Sequence, residues 1–396
     1  MTMHLLKLIW NRKRANALIV LEIFFSFLAL FGVVTLGVYY VDNYRRPLGF
    51  SYEDVWNVGV DMKLSTDDEW TPEMVQTLRQ LFLELQSLDG VRAVAGAMDA
   101  PYSFSRRATV FEHGGRDVRT DFNEVTDGFL NVLGLTLLQG RWFEKGDDAL
   151  NWDPVVVNQK FAREMFGQEG PIGRNIGGRR ERPLRVVGVI SDFRKGGEYA
   201  GPLNYIFYRK RLGDPTHRPP RNLLIKVRPG TTAAFEETLN RRLQGVAREW
   251  SFDIQPLVQM RESSLRLQRA PVLAVGIIAG FLLIMVGLGL VGVLWQSVVQ
   301  RTKEIGLRRA QGATAGDIQR QIAGEVLVMA SAGGALGTLL VLQLPLLGLT
   351  EFLGAGVYAV SLSASLAVIY ILAFLCSLYP SWLAARVRPA RALHYE

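Results

Sequence analysis

The sequence predicts an α+β membrane protein in which four transmembrane helices carry a mixed α/β extracytoplasmic domain inserted between the first and the second. Two observations lead to this fold class. Four stretches are nearly free of charge and long enough to cross a bilayer, which takes about 20 residues, although the overall apolar fraction of 49% is ordinary for a soluble protein. The long polar stretch after the first of them can hold one sizeable core or two small ones.

The predicted membrane spans are residues 17–41, 270–299, 322–347 and 358–383. We expect the first to be an uncleaved anchor, because it is longer than a signal-peptide core and its end at Tyr39, Tyr40 and Val41 lacks a small-residue cleavage pattern. The intervening segments are an N-terminal segment 1–16, the large domain 42–269, a loop 300–321, a short loop 348–357 and a C-terminal segment 384–396.

The net charge of +8 lies in the membrane part. Residues 42–262 contain 31 basic and 31 acidic residues, so the large domain is neutral and nucleic-acid binding is not indicated. The basic residues cluster before the first span, in the 300–321 loop and after the fourth span, whereas the 348–357 loop has none. By the positive-inside rule we expect both termini and the 300–321 loop to be cytoplasmic, with the large domain outside.

Two similar strand–helix–strand units flank the large domain. The first combines a strand pattern at 55–62, a helix opened by Thr71 and Pro72, and a strand from Val91; the second has a strand from Asn222, a helix over 232–249 and a strand from Phe252. We therefore expect one subdomain from about 51–99 and 222–262, and an inserted subdomain over about 100–215. Within the insertion we expect strands at 154–158 and 184–190, a helix at 159–166, and an irregular connector at 209–221.

The residues that lead into the second span allow two interpretations. Residues 260–268 extend the helical pattern into the span, with Pro271 at its start, and a stiff stalk here would carry motion between membrane and domain. A plain linker is equally compatible with the sequence.

Three sequence motifs follow one another in the order of the topology. Residues 154–167 read PVVVNQKFAREMFG, followed by PIGR at 171–174 and VVGVISDF at 186–193. Residues 301–314, after the second span, read RTKEIGLRRAQGAT, and residues 379–393, after the fourth, read YPSWLAARVRPARAL. Together they resemble the permease subunits of the MacB/FtsX superfamily of ABC transporters, over essentially the whole chain. Gln311, Arg309 and His394 depart from the usual motif residues, which suggests a surface specific to one partner.

The 301–320 segment reads as two short helices around a Gly-Ala-Thr turn. Glu304 and Arg308 form an i,i+4 pair, and Thr314 with Asp317 resembles a capping box. Taken by itself, this basic loop could simply anchor to anionic lipid. The resemblance implies instead a coupling helix that docks on an ATP-binding subunit. The residues expected to contribute to this coupling are Arg301, Thr302, Glu304, Ile305, Gly306, Arg308, Arg309, Gly312 and Thr314.

The free energy for any transport must be supplied by a separate protein subunit. No G-x-x-x-x-G-K-[ST] motif occurs, so we expect no enzyme activity or cofactor in this chain, and ATP with Mg²⁺ in a separate ATPase subunit. Because ABC ATPases work as pairs, a second permease copy, identical or homologous, is also expected. Membrane lipid is a further expected partner, and a membrane-fusion protein with an outer-membrane channel is a candidate one.

Small and acidic residues inside the spans suggest helix contacts. The pairs Gly276/Gly280 and Gly333/Gly337 let helix backbones approach closely, with or without a role in dimerisation. Glu22 and Glu325 are the acids inside spans; we expect structural pairing with Arg12, Arg14 or Arg320, and a proton or substrate role is the alternative.

No catalytic or metal-binding set emerges in the large domain. His113 and His217 lie in loop-like sequence, and the single cysteine, Cys376, lies in the last span. Acidic turns such as Asp147-Asp148 could bind calcium, but exposed acidic turns without a ligand are far commoner.

The expected function is the permease part of an ATP-driven exporter or extractor in a bacterial plasma (inner) membrane. It would work by mechanotransmission, moving a peptide, antibiotic or lipoprotein-like substrate that is already outside the membrane. An FtsX-like regulator of an extracytoplasmic enzyme and a sensor without transport are the alternatives. An outward-facing membrane enzyme is a third, for which the sequence offers no residues.

Overall fold

The computed structural model describes residues 13–63, 71–179, 182–213, 219–232, 234–348 and 353–385. It divides into a membrane unit, residues 1–42 and 269–396, and an outer unit, Asn43–Gln268. Four of the described helices are long and apolar enough to cross a membrane, and a mixed α/β domain lies between the first and the second. The predicted fold class is therefore confirmed.

The membrane unit is built from helices. They are α1 (Lys13–Arg45), α6 (Leu257–Gln300, whose first turns belong to the outer unit), α7 (Thr302–Ala310), α8 (Ala315–Val341) and α9 (Ala355–Ala385). The predicted third span ends too late, because α8 stops at Val341 and turns continue to Gly348. Pro345 disfavours helical geometry at the residue before it. Because apolar residues continue past Val341, composition alone does not show where α8 ends.

The core of the membrane unit gathers around α1. Ile23 and Phe27 are fully buried among side chains of α6, α8 and α9. Gly333 and Gly337 of α8 face α1, where an added Cβ would come within 2.9 Å of Ile23 and within 2.3 Å of Phe27. These two glycines permit close contact between α1 and α8 inside one chain.

The outer unit contains a mixed sheet with strand order β11-β1-β10-β2-β4-β9-β6-β8-β5; β3 pairs with β4, and β7 with β8. The strands are β1 (Val55–Asp61), β2 (Val91–Ala97), β3 (Ala108–His113), β4 (Arg116–Val125), β5 (Leu137–Gly140), β6 (Asp153–Asn158), β7 (Asn175–Arg179), β8 (Arg182–Ile190), β9 (Tyr205–Arg209), β10 (Asn222–Val227) and β11 (Ser251–Pro256). The helices are α2 (Pro72–Ser87), α3 (Phe129–Leu133), α4 (Gln159–Phe166) and α5 (Ala234–Val246).

The two ends of the outer unit pack together. Strands β1, β2, β10 and β11 form one part of the sheet, and α2 and α5 cover it with Leu78, Leu81, Leu239 and Leu243. The Thr71 hydroxyl accepts a hydrogen bond from the Met74 N–H, which caps α2 as its sequence indicates.

Strands β3 to β9 form the other part of the sheet, which meets the first where Ala97 of β2 pairs with Val125 of β4. The hairpin β3–β4 was not foreseen, although its turn contains Gly114 and Gly115, both with positive φ. His113, expected in a loop, is the last residue of β3. His217 and residues 214–218 of the expected connector lie outside the described residues.

Two polar residues of the 154–193 motifs, Asn158 and Asp192, have structural roles. Asn158 is fully buried; its side-chain oxygen accepts hydrogen bonds from the Phe161 and Tyr205 N–H groups, at 3.1 and 2.9 Å. Asp192 accepts a hydrogen bond from the Lys160 N–H at 3.0 Å, at the start of α4. The motif therefore joins β6, β8 and α4 through hydrogen bonds rather than forming a reactive site.

Candidate coupling site

The loop between the second and third membrane helices folds as a short helix, a tight turn and a capped helix. Helix α7 ends at Ala310, and Gly312 follows with a φ of +101°, which favours glycine because it has no Cβ. Thr314 then caps α8: its hydroxyl accepts the Asp317 N–H, and the Asp317 carboxylate accepts the Thr314 N–H at 3.0 Å. Both predicted helices and the predicted capping box are present.

One face of α7 is held by apolar contacts. Ile305 is buried together with Val298 of α6, Ile318 of α8 and Ala384 of α9. Gly306, beside Ile305, is buried as well. One face of helix α7 therefore shares an apolar cluster with residues of α6, α8 and α9.

A network of charged and amide side chains joins the same elements. Arg301 forms an ion pair with Glu325, which is 5% exposed, and Gln321 donates to Glu325 at 3.0 Å. Arg308 donates to Gln321 and, at 2.7 Å, to Glu304. The network ties α7 to α8 and to the residue that follows α6.

This network corrects the expected partner of one intramembrane acid. Glu325 pairs with Arg301, whereas Arg320 is exposed. Residue 320 precedes Glu325 by five positions, which places it on another side of α8. Glu22 approaches α6 instead: a Cβ on Gly289 would lie 1.9 Å from its carboxylate oxygen. Arg12 lies outside the described residues, and the side chain of Arg14 is not described.

The opposite face of α7 is exposed. Its residues are Lys303, Leu307, Ala310 and Gln311, spaced as one side of a helix. Leu307 is 51% exposed, although it is the large apolar residue on this face. Sequence reasoning missed Lys303 and Leu307. Their spacing of four residues places them on one side of a helix, away from Ile305, and this spacing was the available signal.

The other predicted residues have distinct places. Arg301, Glu304, Ile305 and Arg308 face neighbouring helices, and Gly312 with Thr314 makes the turn. The Thr302 hydroxyl donates to the Val299 carbonyl at 2.8 Å, and Arg309 is half-buried. Gly276 and Gly280, by contrast, have nothing within 4 Å of an added Cβ among the described atoms.

A second arrangement, in the outer unit, concerns the start of α6. The loop 194–201, which we call the clamp loop, holds Arg194 with its guanidinium bonded to the Arg46 carbonyl at 2.8 Å and to the Ala200 carbonyl at 2.7 Å. Its Glu198 accepts a hydrogen bond from Arg261 at 2.5 Å, and its Gly196 carbonyl accepts one from Gln268 at 2.8 Å. The clamp loop thereby joins the segment after α1 to the first turns of α6.

Contacts with the clamp loop favour the charged form of Arg261. Burial opposes the charge of Arg261, but its hydrogen bond to Glu198 and the charge of that carboxylate outweigh this and raise the pKa of Arg261. The guanidinium also lies over the Tyr52 ring, 4.6 Å from its centroid.

No group of three or more potential metal ligands was found among the described residues.

Two family models match the chain in succession. The MacB-like periplasmic core domain matches residues 17–242, and the FtsX-like permease C-terminal region matches residues 276–389. The second match includes α7, the turn and α8.

Several curated proteins are similar to the chain. The macrolide export ATP-binding/permease protein MacB of Bdellovibrio bacteriovorus is 28% identical over 342 residues, which cover 78% of this chain and 50% of that protein. The pyoverdine export ATP-binding/permease protein PvdT of Pseudomonas entomophila is 27% identical over 291 residues, covering 68% and 42%. The chain thus spans about half the length of these relatives. The crystal structure of the periplasmic region of MacB from Actinobacillus actinomycetemcomitans is 15% identical, covering 54% of this chain and 93% of that one, with a TM-score of 0.39.

Proposed function

Because the chain belongs to the MacB/FtsX superfamily of ABC transporter permeases, we propose that it couples ATP hydrolysis by a separate subunit to movement of its extracytoplasmic domain. Relatives of this chain are named as export proteins, and four of its described helices are long and apolar enough to cross a membrane. In our proposal the movement serves export or extraction of a peptide, antibiotic or lipoprotein-like substrate.

The observation that carries the proposal is the two-sided character of α7. One face packs through Ile305 and is bonded through Arg308, so we expect motion of α7 to be passed to its neighbours. The other face exposes Leu307 beside Lys303, an apolar residue with a positive rim. A protein surface with an apolar core and polar rim is the usual anatomy of a binding interface. We propose that this face docks on the ATPase subunit in the cytoplasm.

A continuous helix supports the transmission of force. Helix α6 runs from Leu257 to Gln300, and Pro271 lies inside it without ending it. Its first turns are bonded to the clamp loop through Arg261 and Gln268, and its last residue immediately precedes Arg301. We propose that motion of α7 travels along α6 and reaches the clamp loop.

The remaining partners follow from the same mechanism. ABC ATPases act as pairs, so two permease copies, identical or homologous, are proposed to assemble with two ATP-binding subunits, which hold ATP and Mg²⁺. The exposed faces at Gly276 and Gly280 are available for contact with lipid or a second copy.

The test is to replace the exposed face of α7 without disturbing its buried face. Leu307→Glu places a charge at the centre of the proposed interface, so we expect loss of co-purification with the proposed ATP-binding subunit. The matched control is Leu83→Glu, at a leucine of α2 in the outer unit that is 66% exposed. If Leu307→Glu retains both co-purification and stimulated ATP hydrolysis, α7 is not the docking helix.

A further inference from the structure

A cavity of about 270 Å³ opens in the outer unit beside the clamp loop and the first turns of α6. Its floor is aromatic: Phe193 and Tyr205 are each 2% exposed, and their ring centroids are 4.9 Å apart. Phe104, which is 79% exposed, and Leu203 line the cavity near solvent. The cavity therefore offers apolar surface to a molecule that enters from water.

The charges around the cavity favour an anion. Three of the lining residues, Arg106, Arg194 and Lys195, are basic, whereas Asp121 is the acidic one. Arg106 is bonded to both oxygens of Asp121, at 2.7 and 3.0 Å, so this pair is neutral. The guanidinium of Arg194 is directed to backbone carbonyls. Lys195 therefore contributes to the excess of positive charge around the cavity.

Lys195 is incompletely neutralised. Its ammonium donates to the Ser105 carbonyl and lies 3.7 Å from Asp99. The Asp99 carboxylate is already bonded to Arg107 at 3.1 Å and to the Ser105 hydroxyl at 2.5 Å. Burial lowers the pKa of Lys195, and the charges of Asp99 and Asp121 oppose this only in part. A further anion next to the ammonium would stabilise its charged form.

Tyr102 also lines the cavity. It is 4% exposed, and its hydroxyl lies close enough to Arg261 and Glu198 to interact with them. Its backbone is held at a φ of +64°, with its N–H bonded to the Lys195 carbonyl at 2.9 Å. This hydrogen bond joins two residues of the cavity wall through their backbones.

We propose that this cavity binds an anionic amphiphile, whose apolar body lies against Phe104, Phe193 and Leu203 and whose acidic group pairs with Lys195. The shared chemistry fits a soluble fatty acid-like molecule and an anionic phospholipid alike. Because Ser264 and Gln268 of α6 also line the cavity, the occupant contacts the helix that the clamp loop holds. The inference does not depend on docking of an ATPase at α7.

The test uses the full chain in phosphatidylcholine nanodiscs and photoactivatable probes, read out by peptide mass spectrometry. A diazirine-bearing octanoate is expected to label peptides around residues 102–106 and 193–205, and excess plain octanoate is expected to suppress the labelling. The matching diazirine octanol should label these peptides about tenfold less, since it lacks the charge-assisted hydrogen bond to Lys195. Equal labelling by the alcohol overturns the proposal.

Variants separate the cavity from general membrane partitioning. Lys195→Gln removes the charge and Leu203→Trp fills the space, so both should reduce octanoate labelling about tenfold. Lys160→Gln, whose ammonium pairs with Glu164 at 3.4 Å on α4, should change nothing. Phe104→Ala alters a side chain exposed enough to leave folding intact, and it should also reduce labelling. Unchanged labelling in folded Phe104→Ala and Leu203→Trp overturns the proposal.

The source of the ligand is decided by a second probe. Phosphatidylglycerol with a diazirine in its acyl chain is added to the nanodisc, and the same peptides are analysed. Labelling by this lipid identifies an anionic phospholipid as the occupant, and labelling by octanoate alone identifies a soluble amphiphile. Labelling by neither probe refutes the site.

Discussion

Arg301, which follows α6 directly, forms an ion pair with Glu325 of α8, and the two side chains are 15% and 7% exposed. The pair lies where two membrane helices meet the short helix α7, and Gln321 adds a hydrogen bond to the same carboxylate. The Glu325 carboxylate, which lies inside the predicted third span, therefore has a partner within the chain. This pairing supports a structural role for Glu325.

Removing one member of this pair is expected to destabilise the membrane unit. Glu325→Gln leaves the Arg301 charge without its partner, and breaking a buried ion pair costs about 3–5 kcal/mol in proteins. The measurement is thermal unfolding of the purified chain in detergent.

The double variant Arg301→Gln/Glu325→Gln provides the control, because it removes both charges. It should be more stable than Glu325→Gln alone. The single variant Arg301→Gln completes the comparison. If the losses in stability of Arg301→Gln and Glu325→Gln add up to that of the double variant, the two side chains do not interact and the assignment is wrong.

Replacing Glu304 and Arg308 should loosen α7 rather than abolish a docking surface. Both side chains are half-buried, and Arg308 bridges Glu304 and Gln321, so Glu304→Gln/Arg308→Met frees one side of the helix. We expect ATP hydrolysis to become uncoupled from function while the outer unit stays folded. Co-purification with the ATPase and hydrogen exchange of residues 302–310 report the two effects separately.

The expected pattern differs from that of Leu307→Glu, which should lose the ATPase while α7 remains protected from exchange. Identical exchange in wild type and the Glu304/Arg308 variant, together with full activity, would show that the network has no role in coupling.

The two glycine pairs are expected to respond differently to added volume. A Cβ at Gly337 would lie 2.3 Å from the Phe27 ring, whereas one at Gly280 meets nothing within 4 Å among the described atoms. Gly337→Ala should therefore destabilise the chain by about 1–3 kcal/mol, the usual cost of overpacking. Unfolding temperature of the solubilised single chain is the measurement.

Gly280→Ala is the matched control and should leave that temperature unchanged. If it lowers self-association instead, Gly280 lies at a contact between two copies. Equal destabilisation by the two alanines would contradict the contact between α1 and α8.

We expect Asp147 to make the stability of the outer unit depend on pH in the acidic range. Its side chain is 1% exposed and is bonded to Arg141, whereas the neighbouring Asp148 is exposed, so only half of the acidic pair 147–148 is the exposed turn that its sequence suggests. Burial opposes ionisation, but the hydrogen bonds from Arg141 and the Glu144 N–H outweigh it and lower the pKa of Asp147. The carboxylate thus stabilises the fold above the ordinary pKa of about 3.9, and this contribution is lost as pH falls through the lower folded value.

We therefore expect Asp147→Asn to unfold at a lower temperature than wild type at pH 7, and the difference to shrink below about pH 4, near the unfolded pKa. Asp153→Asn is the control, because its pair with Arg182 is about one-third exposed. A difference that is independent of pH would refute the linkage.

Much of the fold follows from local signals. The lengths of the apolar runs predict the four spans, and Thr71 and Thr314 mark helix starts because their hydroxyls bond to N–H groups three residues away. The missed elements depend on remote partners: β3 and β4 have weak strand patterns of their own and are defined by pairing with each other and with β9. The predicted coupling residues were chosen by motif, which does not say which side of α7 is buried.

The sequence by itself determined which segments are apolar, where the charges accumulate and where helices begin, because these properties depend on residues within a few positions of one another. Only the tertiary structure decided that Glu325 pairs with Arg301, that Leu307 faces solvent, that Gly337 contacts Phe27 and that Asp147 is buried. The physical reason is that burial and ion pairing depend on which distant side chains share a neighbourhood, and packing sets that neighbourhood.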